Sequence, residues 1–229
     1  MIEVADIRKR YLLRQVLKGV SFTAEKGQIT CLIGVNGAGK STVLKAIMGL
    51  TPIGGGAIRI DGRPPGPDLY EKVTFVPDHL TMPAGMRLSE ALTFMEDFYD
   101  SWNKERARDL MQFFSLEHSE RIGSLSKGTA AKFNLLLGLG QDSNYILLDE
   151  PFSGIDLFSR ETITEVFTSD LIDGRGVLLT THEIGEMEHL IDKAVMLRDG
   201  IVTRSFDVED MRSGEGKSVI DVMREVYRG

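Results

Sequence analysis

Short apolar runs alternate along the chain with stretches whose apolar residues recur at helical spacing. These runs cover residues 29–33, 73–76, 145–148, 177–180 and 194–197. Runs that are this short and apolar throughout are typical of strands buried on both faces of a parallel sheet. Alternation of such strands with helices predicts an α/β fold with a mostly parallel sheet.

Two regions depart from this pattern. Residues 16–22 and 57–60 alternate between apolar and polar side chains, and the pair Asp61-Gly62 predicts a turn, so we expect an antiparallel side sheet. Residues 80–137 contain helical stretches, and Asn103 is placed to cap one of them. We therefore predict a single domain over 1–229, with a core at about 1–79 and 138–229 and an inserted helical subdomain at about 80–137.

The composition narrows the class of protein. Hydrophobic residues make up 42% and charged residues 27% of the 229 residues, as in ordinary soluble domains. The net charge of −7 argues against a general nucleic-acid-binding surface. We interpret the largest basic cluster as a solvated face; it comprises Arg8, Lys9, Arg10, Arg14 and Lys18.

Cysteine usage and the N-terminus bear on location. Cys31 is the one cysteine, so an internal disulfide is impossible, and its apolar surroundings predict a buried side chain. No signal peptide is visible, and every apolar run is far shorter than the roughly 20 residues that cross a bilayer. We expect a soluble protein of a reducing compartment, and any membrane part must be a separate chain.

Residues 34–42 fit the phosphate-loop pattern G-x-x-x-x-G-K-[ST] between an apolar strand and a helix. Glycines let backbone N–H groups surround a phosphate, and the helix points its positive end at the anion. Lys40 can reach the β- and γ-phosphates, and the Ser41 hydroxyl can bind Mg²⁺. The predicted nucleotide-binding residues here are Gly34, Val35, Asn36, Gly37, Ala38, Gly39, Lys40, Ser41 and Thr42.

Two acids, Asp149 and Glu150, follow the apolar run 145–148. Ligands of parallel sheets bind beyond the carboxyl ends of the strands, so both acids should share an edge with the phosphate loop. Asp149 is then placed to hold Mg²⁺, directly or through water, and Glu150 to orient and deprotonate the attacking water. A strand that simply exits into a polar turn is the alternative, which the phosphate loop makes unfavourable.

Together these motifs resemble the ABC-type ATPases over essentially the whole chain. The segment Leu125-Ser126-Lys127-Gly128-Thr129 resembles the family signature L-S-G-G-Q. Ser126 and Gly128 match it, and the Ser-Lys-Gly version resembles an exporter-type branch. Tyr11 resembles the aromatic residue that stacks on adenine, with a core tyrosine as the alternative.

Further family positions fall in loops after the strands. Thr181-His182-Glu183 resembles the switch region, which gives His182 a catalytic role, and residues 153–156 resemble the loop that meets a partner subunit. Asp78 stands where the family has glutamine, and we expect it to take part in the Mg²⁺ site. His118 and His189 are interpreted as surface residues, and His79 as a surface residue or a hydrogen-bond donor beside Asp78.

The resemblance implies ATP and Mg²⁺ as cofactors and a head-to-tail dimer, either a homodimer or a pair with another ABC ATPase subunit. Each ATP is held by the phosphate loop of one subunit and the signature of the other. It also implies a motor subunit on the cytoplasmic face of the membrane that powers a separate integral membrane permease, with export as the expected direction. The alternative is a soluble ABC-type ATPase acting on a cytoplasmic assembly. A small GTPase is excluded because Asn103-Lys104-Glu105-Arg106 does not complete N-K-x-D.

Overall fold

The computed structural model describes residues 1–169, 172, 174–182 and 184–228, apart from the side chains of residues 186 and 228. Within these residues, the chain forms one six-stranded and one three-stranded sheet. The α/β class, with a mostly parallel sheet and an antiparallel side sheet, is therefore confirmed. The predicted end of the domain at Gly229 lies outside the described residues.

The larger sheet contains all five predicted apolar strands. Its order is β5-β6-β7-β3-β8-β9, and every neighbouring pair is parallel except β8 and β9. The five apolar runs match strands to within one residue at each end. The strands are β3 Ile29–Ile33, β5 Val73–Val76, β6 Tyr145–Asp149, β7 Gly176–Thr181, β8 Lys193–Arg198 and β9 Ile201–Asp207.

The smaller sheet lies at the N-terminal part of the chain. It consists of β1 Ile2–Tyr11, β2 Arg14–Ala24 and β4 Gly55–Ile60 in the order β2-β1-β4, and both pairs are antiparallel. The predicted stretches 16–22 and 57–60 lie within β2 and β4, but β1 was not predicted.

Helices lie between several of the strands, and three of them, α3 to α5, follow one another between β5 and β6. Asn103 caps α4 as expected, since its Oδ1 accepts a hydrogen bond from the backbone N of Arg106 at 2.9 Å. Short 3₁₀ segments include Ile122–Ser124 and Gly185–Leu190. The α-helices are α1 Lys40–Ile47, α2 Leu69–Lys72, α3 Leu88–Phe98, α4 Lys104–Phe113, α5 Lys127–Leu139, α6 Leu157–Phe167, α7 Val208–Glu215 and α8 Val219–Arg228.

Alternate residues of the central strands pack on opposite faces of the large sheet. Along β3, Cys31 belongs to the cluster shared with α3 to α6, whereas Leu32 belongs to the cluster shared with α1 and the small sheet. Cys31 is fully buried, and this burial raises the pKa of its thiol. The two apolar layers fix the position of the sheet, and with it the polar edge where the strands end.

None of the helices in the described part of the chain is long and apolar enough to span a bilayer.

Candidate functional site

The phosphate loop leaves the end of β3 and enters α1 in the middle of the large sheet. Gly37 and Gly39 have φ values of 83° and 110°, which L-side chains rarely adopt. A side chain at Gly39 would also meet Leu17 of β2 at 2.8 Å. These glycines let the backbone curl tightly, so that the N-terminus of α1 faces the space inside the loop, as anion binding requires.

Lys40 is the first residue of α1, and its side chain is buried against the loop. Its Nζ donates to the carbonyl O of Gly34 at 2.6 Å and lies 2.9 Å from Oε1 of Glu150. The ammonium group therefore stands between the phosphate loop and the end of β6. A cation held in this place can bind two neighbouring phosphates of a nucleotide.

Ser41 and Asp149 meet as the two motifs predicted. The Ser41 Oγ donates to Oδ1 of Asp149 at 3.0 Å, and the Thr180 Oγ1 donates to the same oxygen at 2.7 Å. A hydroxyl and a carboxylate are the hard oxygen ligands that Mg²⁺ takes beside nucleotide phosphates. The chemistry of this pair therefore fits a Mg²⁺ ion.

Glu150 adopts an unusual backbone conformation at the edge of the sheet. Its φ of 49° lies in the left-handed region, which costs a non-glycine residue about 1–2 kcal/mol. The backbone N of Glu150 donates a hydrogen bond to the Thr180 Oγ1 at 3.0 Å, and this bond fixes the turn. Strain of this kind persists where the surrounding structure imposes it, which is common in active sites. Thr180, which the motifs did not single out, thus orients both acids.

His182 lies beside Glu150 on the neighbouring strand end. Its Nδ1 is 2.8 Å from Oε2 of Glu150, so the carboxylate lies between the histidine and Lys40. The Glu150 carboxylate is thus held at both oxygens close to the phosphate loop. Glu183, the last residue of the switch motif, lies outside the described residues.

The signature segment opens α5. Ser126 caps this helix by accepting from the backbone N of Thr129 at 3.1 Å. Gly128 packs on the cap of α6, since an added Cβ would lie 2.1 Å from the Ser159 Oγ and 2.7 Å from Oδ2 of Asp156. Among the described contacts, none joins Ser126 or Gly128 to the phosphate loop of the same chain.

Tyr11 is the last residue of β1, and its hydroxyl lies 3.3 Å from the Oγ1 of Thr51, so its part in adenine binding stays a prediction. Its side chain is 44% exposed, which contradicts the alternative of a core tyrosine. It covers Lys9, whose Nζ lies 4.7 Å from the ring centroid and donates to the carbonyl O of Pro52 at 2.7 Å. Lys9 is therefore buried, and the prediction that the whole basic cluster is solvated was wrong at this residue.

Arg14 lies across the hairpin from Tyr11. Its Nη2 is 3.8 Å from the position that a Cβ at Gly37 would take, so Arg14 lies beside the phosphate loop. The sequence had not marked Arg14 as a site residue.

Asp78 lies two residues after the end of β5. Its carboxylate bonds to Nδ1 of His79 at 2.6 Å, and the side chain is exposed. It lines a cavity together with Lys127, Asn134 and Glu150. Among the described residues, no hydrogen bond joins Asp78 to Ser41 or Asp149, so its part in a metal site stays a prediction. His118 and His189 are exposed, as expected.

Comparison with known proteins agrees with this geometry. A family model described as "ABC transporter" matches residues 17–153. The aliphatic sulfonates import ATP-binding protein SsuB of Corynebacterium glutamicum is 32% identical over 211 residues, which cover 90% of this chain and 84% of that protein. The Nod factor export ATP-binding protein I of Burkholderia lata is 32% identical over 207 residues, covering 87% of this chain and 68% of that protein.

A solved structure agrees over nearly the full length. The structure of an ATP-binding subunit of an ABC transporter superimposes with a TM-score of 0.87 at 29% identity, and the match covers 99% of both chains. The similarity in structure thus extends beyond residues 17–153, which the family model matches, and includes the C-terminal elements.

Proposed function

Because this chain belongs to the ABC transporter family as an ATP-binding subunit with ATPase activity, we propose that it drives a separate membrane permease by working as one of a pair of such subunits. One observation carries the proposal: Lys40, Ser41, Asp149, Glu150 and His182 meet at one sheet edge through contacts of 2.8–3.0 Å. This is the set of groups that binding and hydrolysis of a nucleoside triphosphate requires.

The roles of the side chains follow from their positions. The backbone of the phosphate loop and Lys40 bind the phosphates and withdraw negative charge from them as the terminal phosphoryl group is transferred. Ser41 and Asp149 would hold a Mg²⁺ ion, which would neutralise charge on the phosphates. Glu150 takes a proton from the attacking water, and His182 holds the carboxylate and reaches the edge of the terminal phosphate.

The signature segment supports the pairing of two subunits. Ser126 caps α5, so the N-terminus of this helix offers a second anion-binding end, and none of the described contacts joins Ser126 to the phosphate loop of the same chain. In a head-to-tail pair, the α5 of one subunit can bind the terminal phosphate held by the other. A homodimer and a pair with a related subunit satisfy this geometry equally.

A groove between the helices and the sheet supports the proposal that a permease binds this chain. It is lined by the flexible side chains of Met82, Met86 and Met95, together with Phe94 and Tyr99. Phe98 stacks on Phe94 with ring centroids 4.5 Å apart and is 69% exposed. Exposed aromatic side chains beside partly buried methionines are typical of surfaces that bind another protein. We propose that the permease contacts this groove from the cytoplasmic face of a membrane.

Export is the direction that we propose, because the segment Ser126-Lys127-Gly128 resembles the exporter-type branch. The relatives include both an import and an export protein, so they do not decide the direction. Once the permease and its substrate are identified, inside-out membrane vesicles supplied with ATP outside test it. Accumulation of substrate inside the vesicles means export, and loss of preloaded substrate means import.

Affinity purification of the tagged chain from detergent-solubilised membranes tests the proposed partner. We expect an integral membrane protein in stoichiometric amount, and Phe98→Asp should abolish its recovery while the isolated subunit keeps its ATPase rate. Ile201→Asp is the matched control, because Ile201 is 46% exposed on β9 at the opposite edge of the sheet. Recovery of a ribosome or a soluble scaffold in place of a membrane protein would refute the proposal in favour of a cytoplasmic assembly.

A further inference from the structure

The C-terminal helix α8 reaches the base of the phosphate loop, although no motif marks it. The hydroxyl of Tyr227 lies 3.0 Å from the carbonyl O of Ile33 and 2.9 Å from that of Leu197. Ile33 is the last residue of β3, directly before the loop, and Leu197 lies near the end of β8. One side chain therefore connects the two strand ends on which the phosphate loop rests.

The same strand ends hold the first residue of the loop. A Cβ at Gly34 would lie 2.6 Å from the Leu197 carbonyl O, so the loop packs directly on the atom that Tyr227 binds. The Gly34 backbone N donates to Thr181 O at 3.2 Å, and its own carbonyl accepts from Lys40 at 2.6 Å. Gly34 is thus fixed from β7, from α1 and, through Leu197 and Ile33, from α8.

Helix α8 is itself held at both ends. At its start, the backbone N of Val219 donates to Oε1 of Glu188 at 2.9 Å, and Glu188 lies in the 3₁₀ segment that follows the switch histidine. At its end, Arg198 Nη1 donates to the carbonyl O of Val226 at 2.5 Å. The fully buried Val219 and Val222 pack the helix into the core. Tyr227 is therefore placed by a fixed helix.

We propose that Tyr227 is a positioning residue that sets the phosphate loop in its nucleotide-binding conformation. The hydroxyl has one proton, which it shares between two backbone carbonyls that would otherwise lack this donor. Burial raises the pKa of Tyr227 to about 12, so the hydroxyl keeps its proton throughout the physiological range. This inference rests on the proposed function, because it concerns the site that binds ATP.

Nucleotide binding by the full chain tests the role. Tyr227→Phe removes only the hydroxyl, and calorimetric titrations with ATP, ADP and adenosine separate effects on phosphate binding from effects on the base. We expect the Kd for ATP to rise about three- to tenfold, the size of one lost hydrogen bond. The Kd for ADP should rise less, and that for adenosine should change less than about twofold.

Tyr70→Phe is the matched control, because the Tyr70 hydroxyl also donates to a backbone carbonyl, that of Met48 at 3.3 Å, beyond the far end of α1. A lower melting temperature of Tyr227→Phe with unchanged Kd values, or an equal loss for ATP and adenosine, overturns the proposal. If Tyr227→Phe does not fold, Arg198→Met decides in the same way by loosening the end of α8. Failure of the wild-type chain to bind ATP would refute the proposed function itself, whereas wild-type binding with an unaffected variant overturns this inference alone.

Discussion

Replacing Glu150 by glutamine separates hydrolysis from binding at this site. The amide keeps the size of the carboxylate and can still accept a hydrogen bond from Lys40, but it cannot take a proton from water. Loss of a general base lowers turnover by about 10²–10⁴-fold, which corresponds to about 3–5 kcal/mol of transition-state stabilisation. ATP binding should persist, so that an ATP-bound pair of subunits accumulates and is seen by size-exclusion chromatography.

The contact with Lys40 adds a second, thermodynamic expectation. Lys40 is 5% exposed, and in the variant its ammonium loses an anionic partner at 2.9 Å while the Gly34 carbonyl remains. We expect the nucleotide-free protein to lose about 1–2 kcal/mol of stability, because charged hydrogen bonds contribute more than neutral ones. For a chain of this size, each kcal/mol lowers the Tm by about 2–4 °C. Bound ATP brings phosphate anions to the same ammonium, so the loss should shrink when ATP is saturating.

Three measurements on the same protein check this reasoning. They are the steady-state ATPase rate, the Kd of a fluorescent ATP analogue, and the melting temperature with and without ATP and Mg²⁺. Glu209→Gln on the exposed surface of α7 is the control for a carboxylate-to-amide change, and it should alter none of them. A turnover within tenfold of wild type would remove Glu150 from the role of base. An equal Tm deficit with and without ATP would show that Lys40 does not exchange Glu150 for phosphate.

Two further experiments probe the pairing of subunits and the metal site. Mixing a Ser126→Arg subunit with a Lys40→Ala subunit should give more ATPase activity than either variant alone. The mixed pair keeps one intact site, formed by the phosphate loop of one subunit and the signature of the other. No recovery of activity in demonstrated mixed pairs would contradict sites that two subunits share. Asp78→Gln should make nucleotide affinity depend less steeply on Mg²⁺ concentration, because the Asp78 carboxylate and the Glu150 carboxylate, which line one cavity, repel each other until a cation binds. Identical plots of nucleotide affinity against Mg²⁺ concentration for wild type and variant would place Asp78 outside the metal site.

The sequence predicts those parts of the site that are local. The phosphate loop is a contiguous motif, and the acids that follow an apolar strand fall at a known sheet edge, so Lys40, Ser41, Asp149 and Glu150 could be placed without coordinates. Thr180 could not, because its role depends on the register by which β7 lies beside β6. Tyr227 was beyond reach for the same reason, since it contacts a residue 194 positions away.

The error at Lys9 and the missed packing role of Gly128 have a similar origin. Lys9 looked like one of several solvated basic residues, because nothing in its neighbours reveals that the Pro52 carbonyl lies within reach across the fold. Gly128 was assigned to the signature by resemblance, whereas the structure adds a steric need: α5 can approach the cap of α6 only without a side chain there. Long-range packing, and not local propensity, decides both cases.

The complete burial of Cys31 makes the protein convenient for spectroscopy. Alkylating dyes react with the thiolate, and a buried thiol whose pKa is raised presents almost none of it to solvent. The natural chain should therefore remain unlabelled under mild conditions, and one cysteine introduced at an exposed position such as Glu209 would be the single attachment point. Energy transfer between two copies labelled at that position would then follow their ATP-driven pairing in real time, without removal of the native cysteine.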